Sequence, residues 1–236
     1  MSAPLPGGLF ITGTDTGVGK TVVACALARA LVRQGRTVIA RKPAESGCER
    51  QEGLLWPADG ARLMAATGQR GLLERITPYR FEHALAPDRA ARLAGSPLFL
   101  ADLIGACHAP DRDGDDGGFL LVEGAGGFYS PLTEDGLNAD LAQALGLPVV
   151  LVAPDRLGVI NHVLLIAEAI RHRHLALAAV VLNHCAGEMP PAMDNPADIA
   201  RRLEVPVLRF PEEGLPSANT SADDILQAIS SWVRRW

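Results

Sequence analysis

A lysine and a threonine at the head of a helix, behind a glycine-rich turn, can hold phosphate. Gly13-Thr14-Asp15-Thr16-Gly17-Val18-Gly19-Lys20-Thr21 follows the apolar run Gly8 to Thr12 and opens a segment of helical period. In that setting backbone N–H groups converge on phosphate oxygens, and the helix N-terminus adds the positive end of its dipole. Gly17 and Gly19 permit turns that a side chain would obstruct. Lys20 then reaches the β- and γ-phosphates of a nucleotide, and the Thr21 hydroxyl binds Mg²⁺. Five residues separate Gly13 from Gly19 where the usual pattern has four, and Thr14 takes the expected glycine position. Strand, loop, Gly-Lys-Thr and helix still occur in the order that nucleotide binding requires. GTPases, kinases, partitioning ATPases and ligases share such a loop, so it does not by itself name a reaction.

Two other segments narrow the chemistry. The run Thr37 to Ala40 leads into Arg41-Lys42-Pro43-Ala44-Glu45-Ser46-Gly47, which puts a lysine at a strand end. Alone, Lys42 reads rather as a surface cap than as a functional residue. The run Phe119 to Val122 delivers Glu123-Gly124-Ala125-Gly126-Gly127, a carboxylate followed by a flexible loop with closely spaced N–H donors. A Mg²⁺ held partly by a phosphate loop needs a carboxylate from another strand, and Glu123 is placed to be one. The alternative is a glycine-rich turn after a core strand.

The elements that must position these groups alternate along the chain. Gly8 to Thr12, Thr37 to Ala40, Phe119 to Val122, Pro148 to Val152, Ala178 to Leu182 and Pro206 to Leu208 are short continuous apolar runs. Strands covered on both faces look like this. Between them lie helical patterns: Lys20 to Gln34 with Gly35 as its C-terminal cap, Asn138 to Leu145, Gly158 to His172, Asn195 to Leu203 and Ala222 to Arg235. The fold expected is α/β, a single-domain P-loop NTPase fold over residues 1–236, with a mostly parallel sheet and helices on both faces. Residues 44–116 fit this scheme least well, with helical pieces and an acidic loop, Asp111 to Asp116, that reads as a solvated connection.

Composition bounds the partners. A formal charge of −5 argues against nucleic acid, whose binders carry a basic face, but permits a small anionic ligand held by local donors. Cys25, Cys48, Cys107 and Cys185 form no CxxC pair and read as buried or incidental thiols in a reducing compartment. His172 and His174 lack metal spacing and read as surface residues. The N-terminus has no basic region followed by an apolar core, and no apolar run reaches membrane-spanning length. A cytoplasmic protein without a membrane partner is expected.

Together, Gly13 to Thr21, Lys42-Pro43 with Ser46-Gly47, and Val122 to Gly127 resemble the dethiobiotin synthetase family, in which the five-residue loop spacing is normal. Leu157 to His162 resembles a further family segment. The resemblance implies an ATP- and Mg²⁺-dependent cyclo-ligase that converts diaminopelargonate and CO₂ to dethiobiotin, the penultimate step of biotin biosynthesis. A carbamate forms on one amine and attacks the γ-phosphate. The second amine then closes the ureido ring on the resulting carbamic–phosphoric anhydride.

Carried onto this chain, the resemblance makes Lys42 and Lys20 catalytic, with Thr21, Asp59 and Glu123 as metal ligands. It assigns ATP to Gly17, Val18, Gly19, Lys20, Thr21, Val22, Asp59, Glu123, Gly124, Ala125 and Gly126, with Asn183 and Pro211-Glu212-Glu213-Gly214 around the adenine. Thr16, Ser46 and Asn161 fall on the substrate side, with the substrate site at a homodimer interface. By itself Asp59 reads as an ordinary helix-start aspartate, and Asn161 reads equally as a helix-start residue. Three departures stand out: Glu45 where a small apolar residue is common, His184 where many members have Asp, and Pro87-Asp88 in place of Pro-His.

Two other classes share the phosphate loop. A partitioning or switch ATPase typically carries a second lysine early in the loop, where Thr14 and Asp15 stand here. A cobyrinate-type amide synthase needs a glutaminase domain, for which the chain after Gly127 is too short.

Overall fold

The computed structural model describes residues 7–68, 73–108, 118–184, 190–210 and 221–233. In chain order, β1 (Gly8–Gly13), α1 (Lys20–Arg33) and β2 (Val38–Arg41) form the first strand–helix–strand unit. Smaller elements follow: β3 (Ala44–Ser46), β4 (Glu49–Gln51), β5 (Leu54–Trp56), α2 (Ala58–Thr67), α3 (Leu73–Ile76), β6 (Tyr79–Phe81), α4 (Pro87–Leu93) and α5 (Leu100–His108). Then come β7 (Phe119–Gly127), β8 (Pro131–Thr133), β9 (Gly136–Leu137), α6 (Asn138–Leu145), β10 (Val149–Pro154) and α7 (Val159–His172). The chain ends through β11 (Leu177–Asn183), α8 (Asn195–Ala200), β12 (Val207–Phe210) and α9 (Ala222–Val233).

Six strands form the central sheet in the order β12-β11-β10-β1-β7-β2, every neighbouring pair parallel. The expected α/β architecture is therefore present. Alternating side chains explain why the runs are continuously apolar. In β1, Leu9 and Ile11 face the layer that holds α1, α2 and α9, while Phe10 faces α6 and α7 on the other side. In β10, Val150 and Val152 enter the first core and Val149, Leu151 and Ala153 the second. Each such aliphatic side chain contributes roughly 1.5–3 kcal/mol when fully buried.

The chain passes from β1 to the edge strand β2, returns to β7 beside β1, and then builds outward through β10, β11 and β12 on β1's other side. This reversal opens a crevice at the carboxyl end of β1, where ligands of open α/β sheets collect. Helix α1 starts there and ends as the sequence predicts. Gly35, at φ +77, donates to Val32 O at 2.9 Å, and Arg36 N donates to Leu31 O at 3.0 Å, a Schellman pair.

Two expectations change. β7 does not stop at Val122, because Glu123 pairs with Ile11 and Gly127 with Gly13, so the glycines continue the strand instead of forming a flexible loop. α8 ends at Ala200, short of Leu203. Residues 44–108 hold two small sheets, β3 with β6 and β4 with β5, beside four helices. Asp111 to Asp116 and Cys185 lie outside the described residues. Cys25, Cys48 and Cys107 are free and buried, and burial pushes their thiols up to about 12, 11 and 12. His172 and His174 are exposed. Among the described residues no helix is long and apolar enough to cross a membrane.

Candidate active site

The phosphate loop is anchored from below. Val18 is buried in the core, and Asn183, at the end of β11, donates its amide to Val18 O at 3.2 Å. Gly19 caps α1 in the left-handed region at φ 93, and a Cβ there would stand 2.0 Å from Asn183 Nδ2. Only glycine satisfies both constraints. Above this floor Lys20 bends back to donate to Asp15 O at 2.8 Å. Burial, followed by repulsion from Lys42, lowers its pKa to about 8 despite Glu123 and Asp59 nearby.

Glu123 is the hub. Its Oε1 accepts from Thr21 Oγ1 at 2.8 Å and from Lys42 Nζ at 2.6 Å, with Glu123 only 1 % exposed. Lys42 is buried too, and its ammonium lies 3.4 Å from Asp59 Oδ2. Burial alone would lower the Lys42 pKa, but attraction to Glu123 and Asp59 and the Glu123 hydrogen bond outweigh it and raise it. The lysine is thus a fixed cation, not a surface cap. Glu123 Oε2 is buried with no hydrogen-bond partner. Such an oxygen costs roughly 1–3 kcal/mol or more unless something meets it.

A cavity of about 340 Å³ opens over these groups. It brings together Thr16, Gly17, Gly19, Lys20, Thr21, Val22, Lys42, Ser46, Asp59, Glu123, Ala125 and Gly126 from separate segments of the chain. Val18, Gly124 and Asn183 sit beneath or beside it and do not line it. Gly124 is small for an internal reason, since a Cβ there would meet Asn138 Oδ1 at 2.7 Å. Asn161 lies exposed on the first turn of α7, outside this lining. Gly158, not Asn161, occupies the cap position of that helix. Pro211 to Gly214 lie outside the described residues.

Three contributors were not assigned from the sequence. Glu45 and Arg62 line the cavity, Arg62 as a largely exposed guanidinium 3.7 Å from Asp59 Oδ1. Asn138 is fully buried at the start of α6. Its amide oxygen accepts from Ala125 N at 2.9 Å, and its nitrogen donates to the carbonyls of Ala125, Gly127 and Ser130. One side chain therefore holds the glycine strand. The spacing of Arg62, one turn after Asp59, was a usable signal, whereas nothing local marked Asn138.

Comparison with known proteins identifies the family. Residues 7–213 match the family model described as an AAA domain. The chain is 47% identical over 195 residues to the ATP-dependent dethiobiotin synthetase BioD of Anaeromyxobacter dehalogenans, covering 82% of this chain and 84% of that one. It is 41% identical over 224 residues to the protein of the same name from a Caulobacter species, covering 94% and 95%. Among solved structures, the cell division ATPase MinD of Pyrococcus furiosus shares the fold, with a TM-score of 0.52 at 16% identity over 97% of this chain and 99% of that chain. With identities this high over most of both chains, the chain belongs to the family of ATP-dependent dethiobiotin synthetases.

Proposed function

We propose that this protein closes the ureido ring of dethiobiotin from diaminopelargonate, CO₂ and ATP in biotin biosynthesis. The observation that carries the reading is the buried Lys42–Glu123–Thr21 cluster at the mouth of the phosphate loop. A switch ATPase needs the loop and a metal carboxylate, but a buried cation fixed beside them serves a second anion.

The metal reading has its own support. Glu123 Oε2 is an unmet buried oxygen of the carboxylate whose Oε1 accepts from the Thr21 hydroxyl, and Lys42 lies between that carboxylate and Asp59. Among the described residues no three His, Cys, Asp or Glu side chains form a cage. Mg²⁺ needs none, since one or two carboxylates, phosphate oxygens and waters complete its shell. Thr21, Glu123 and Asp59 would hold the ion, which when bound neutralises charge on the β- and γ-phosphates.

The reaction then follows by position. One amine of the diamine adds to CO₂ and loses a proton, giving a carbamate. A carbamate oxygen attacks the γ-phosphorus, and the bond to the β-bridging oxygen breaks to release ADP. The second amine attacks the carbamoyl carbon and gives up a proton, phosphate leaves, and the ring closes. Lys20 faces the β- and γ-phosphates, while Lys42 stabilises the carbamate and the phosphoryl group in transfer. Thr16 and Ser46, at the rim, contact the substrate side. The buried free thiols accord with a reducing, cytoplasmic setting.

Phosphate release from ATP by the purified protein tests the reading. Release should require diaminopelargonate and bicarbonate together, and Lys42→Ala should abolish it while calorimetry still shows nucleotide binding. Robust ATP turnover without the diamine, or stimulation by DNA or a protein partner, would favour a switch ATPase instead.

A further inference from the structure

Helix α2 begins at a position that cannot cap itself. Its N-cap residue, Pro57, has no side-chain acceptor and makes no cap hydrogen bond. The first N–H groups of a helix have no partners within it. Here Asp59 N donates to Glu45 Oε1 and Gly60 N to Glu45 Oε2, each at 3.0 Å. These are the second and third helical residues, the donors that an N-cap Asp or Ser would ordinarily serve. Glu45, only 6% exposed on β3, does this work from across the cavity.

The consequence is geometric. β3 continues the segment that begins with Lys42, and the first turn of α2 carries Asp59, whose Oδ2 lies 3.4 Å from Lys42 Nζ. A carboxylate beside bound phosphates works against ATP, so its presence calls for a compensating role. We propose that Glu45 is a positioning residue, fixing the start of α2 so that Asp59 meets the metal opposite Glu123, without itself touching metal or nucleotide. This rests on the metal reading given above.

Glutamine offers one carbonyl acceptor in place of two carboxylate oxygens, so Glu45→Gln frees one of the two donors. Mn²⁺ binding in the presence of ATP, followed by electron paramagnetic resonance, provides a readout independent of turnover. Asp59→Asn should weaken Mn²⁺ retention, and if it does not, the metal reading itself falls and this role falls with it. Glu45→Gln should weaken retention roughly tenfold, the scale of lost outer-shell support, with metal-free ATP affinity undiminished. Added to Asp59→Asn, the same change should have no further effect, because both act through one carboxylate. Pro57→Ser supplies a local cap to the same donors, so in the Glu45→Gln background it should restore most of the lost retention. This double variant also stands in where Glu45→Gln alone fails to fold. Unchanged Mn²⁺ retention in Glu45→Gln, an equal loss in both backgrounds, or no rescue by Pro57→Ser overturns the positioning role.

Discussion

Two lysines share one cavity and are tuned in opposite directions. Lys42 is locked to Glu123 and keeps its charge, whereas Lys20, with only a carbonyl partner, has a pKa near 8. That difference suits a fixed cation for the carbamate and a responsive one for the nucleotide. In the free protein Lys20 is charged below that pKa and largely neutral above it, while bound triphosphate favours its charged form. ATP binding therefore takes up no proton at Lys20 well below pH 8 and must take up nearly one above it. Affinity is retained at low pH and lost as pH rises. One unit above the pKa about a tenth of free Lys20 is protonated, so affinity should fall by up to about tenfold between pH 7 and 9. Calorimetric titration in two buffers of different ionisation enthalpy measures both the affinity and the proton uptake. In Lys20→Ala the affinity should be lower and this dependence absent. A flat affinity across that range in the parent protein would remove the assignment.

At the scale of elements, β7 matters beyond its pairing. Its glycine half lies beside the phosphate loop, since Gly127 registers with Gly13 and Phe128 N donates to Gly13 O at 3.2 Å. Asn138 holds that half from the head of α6. Asn138→Ala leaves Ala125 N without its acceptor, and a buried donor so stranded costs about 1–3 kcal/mol. Hydrogen exchange at the Ala125 amide should accelerate while amides in β10 stay protected, a pattern that a global loss of stability would not give. The same residue shows where sequence reading stops. The six core strands were legible because burial on both faces makes their residues continuously apolar, and α1 was legible from its loop and from Gly35. Lys20 and Thr21 were legible because they head the helix after the β1 loop, Lys42 because it follows β2, and Glu123 because it closes the apolar run of β7. Asn138 and Glu45 were not, because their partners lie 8 to 15 residues away on other elements and are mostly main-chain atoms. A side chain that serves backbone groups leaves no pattern of side-chain types. Residues 44–108 were obscure for a related reason: their strands are only three residues long, too short to show a period.

At the scale of the whole molecule, the cavity accounts for the reacting end of the substrate but not for its far carboxylate. In the proposed reaction Lys20 and Lys42 are committed to the phosphates and the carbamate, and the chain carries a net charge of −5. A helix start can hold a carboxylate without a basic side chain, through unpaired N–H groups and the positive dipole end. In α7 the cap is Gly158, which brings no side chain over the first turn; Val159 N donates to Arg156 O at 3.2 Å, and no side chain caps the helix. Asn161 stands exposed on that turn, Leu165 follows four residues on at 59% exposure, and Leu157 precedes the helix at 80%. Residues four apart share a helix face, so this one presents an amide amid uncovered aliphatic surface. Asn161 is outside the cavity lining, so in the proposed homodimer it would hold the carboxylate of a diamine bound in the second subunit. Sedimentation at assay concentration should give a dimer. Leu165→Glu should shift it toward monomer and reduce ring closure, while leaving ATP affinity nearly unchanged because the phosphate loop belongs to one chain. Asn161→Ala should keep the dimer and raise KM for the diamine several-fold, about 1 kcal/mol for one lost hydrogen bond. A monomer with full activity would remove the shared site, whatever the Asn161 variant does.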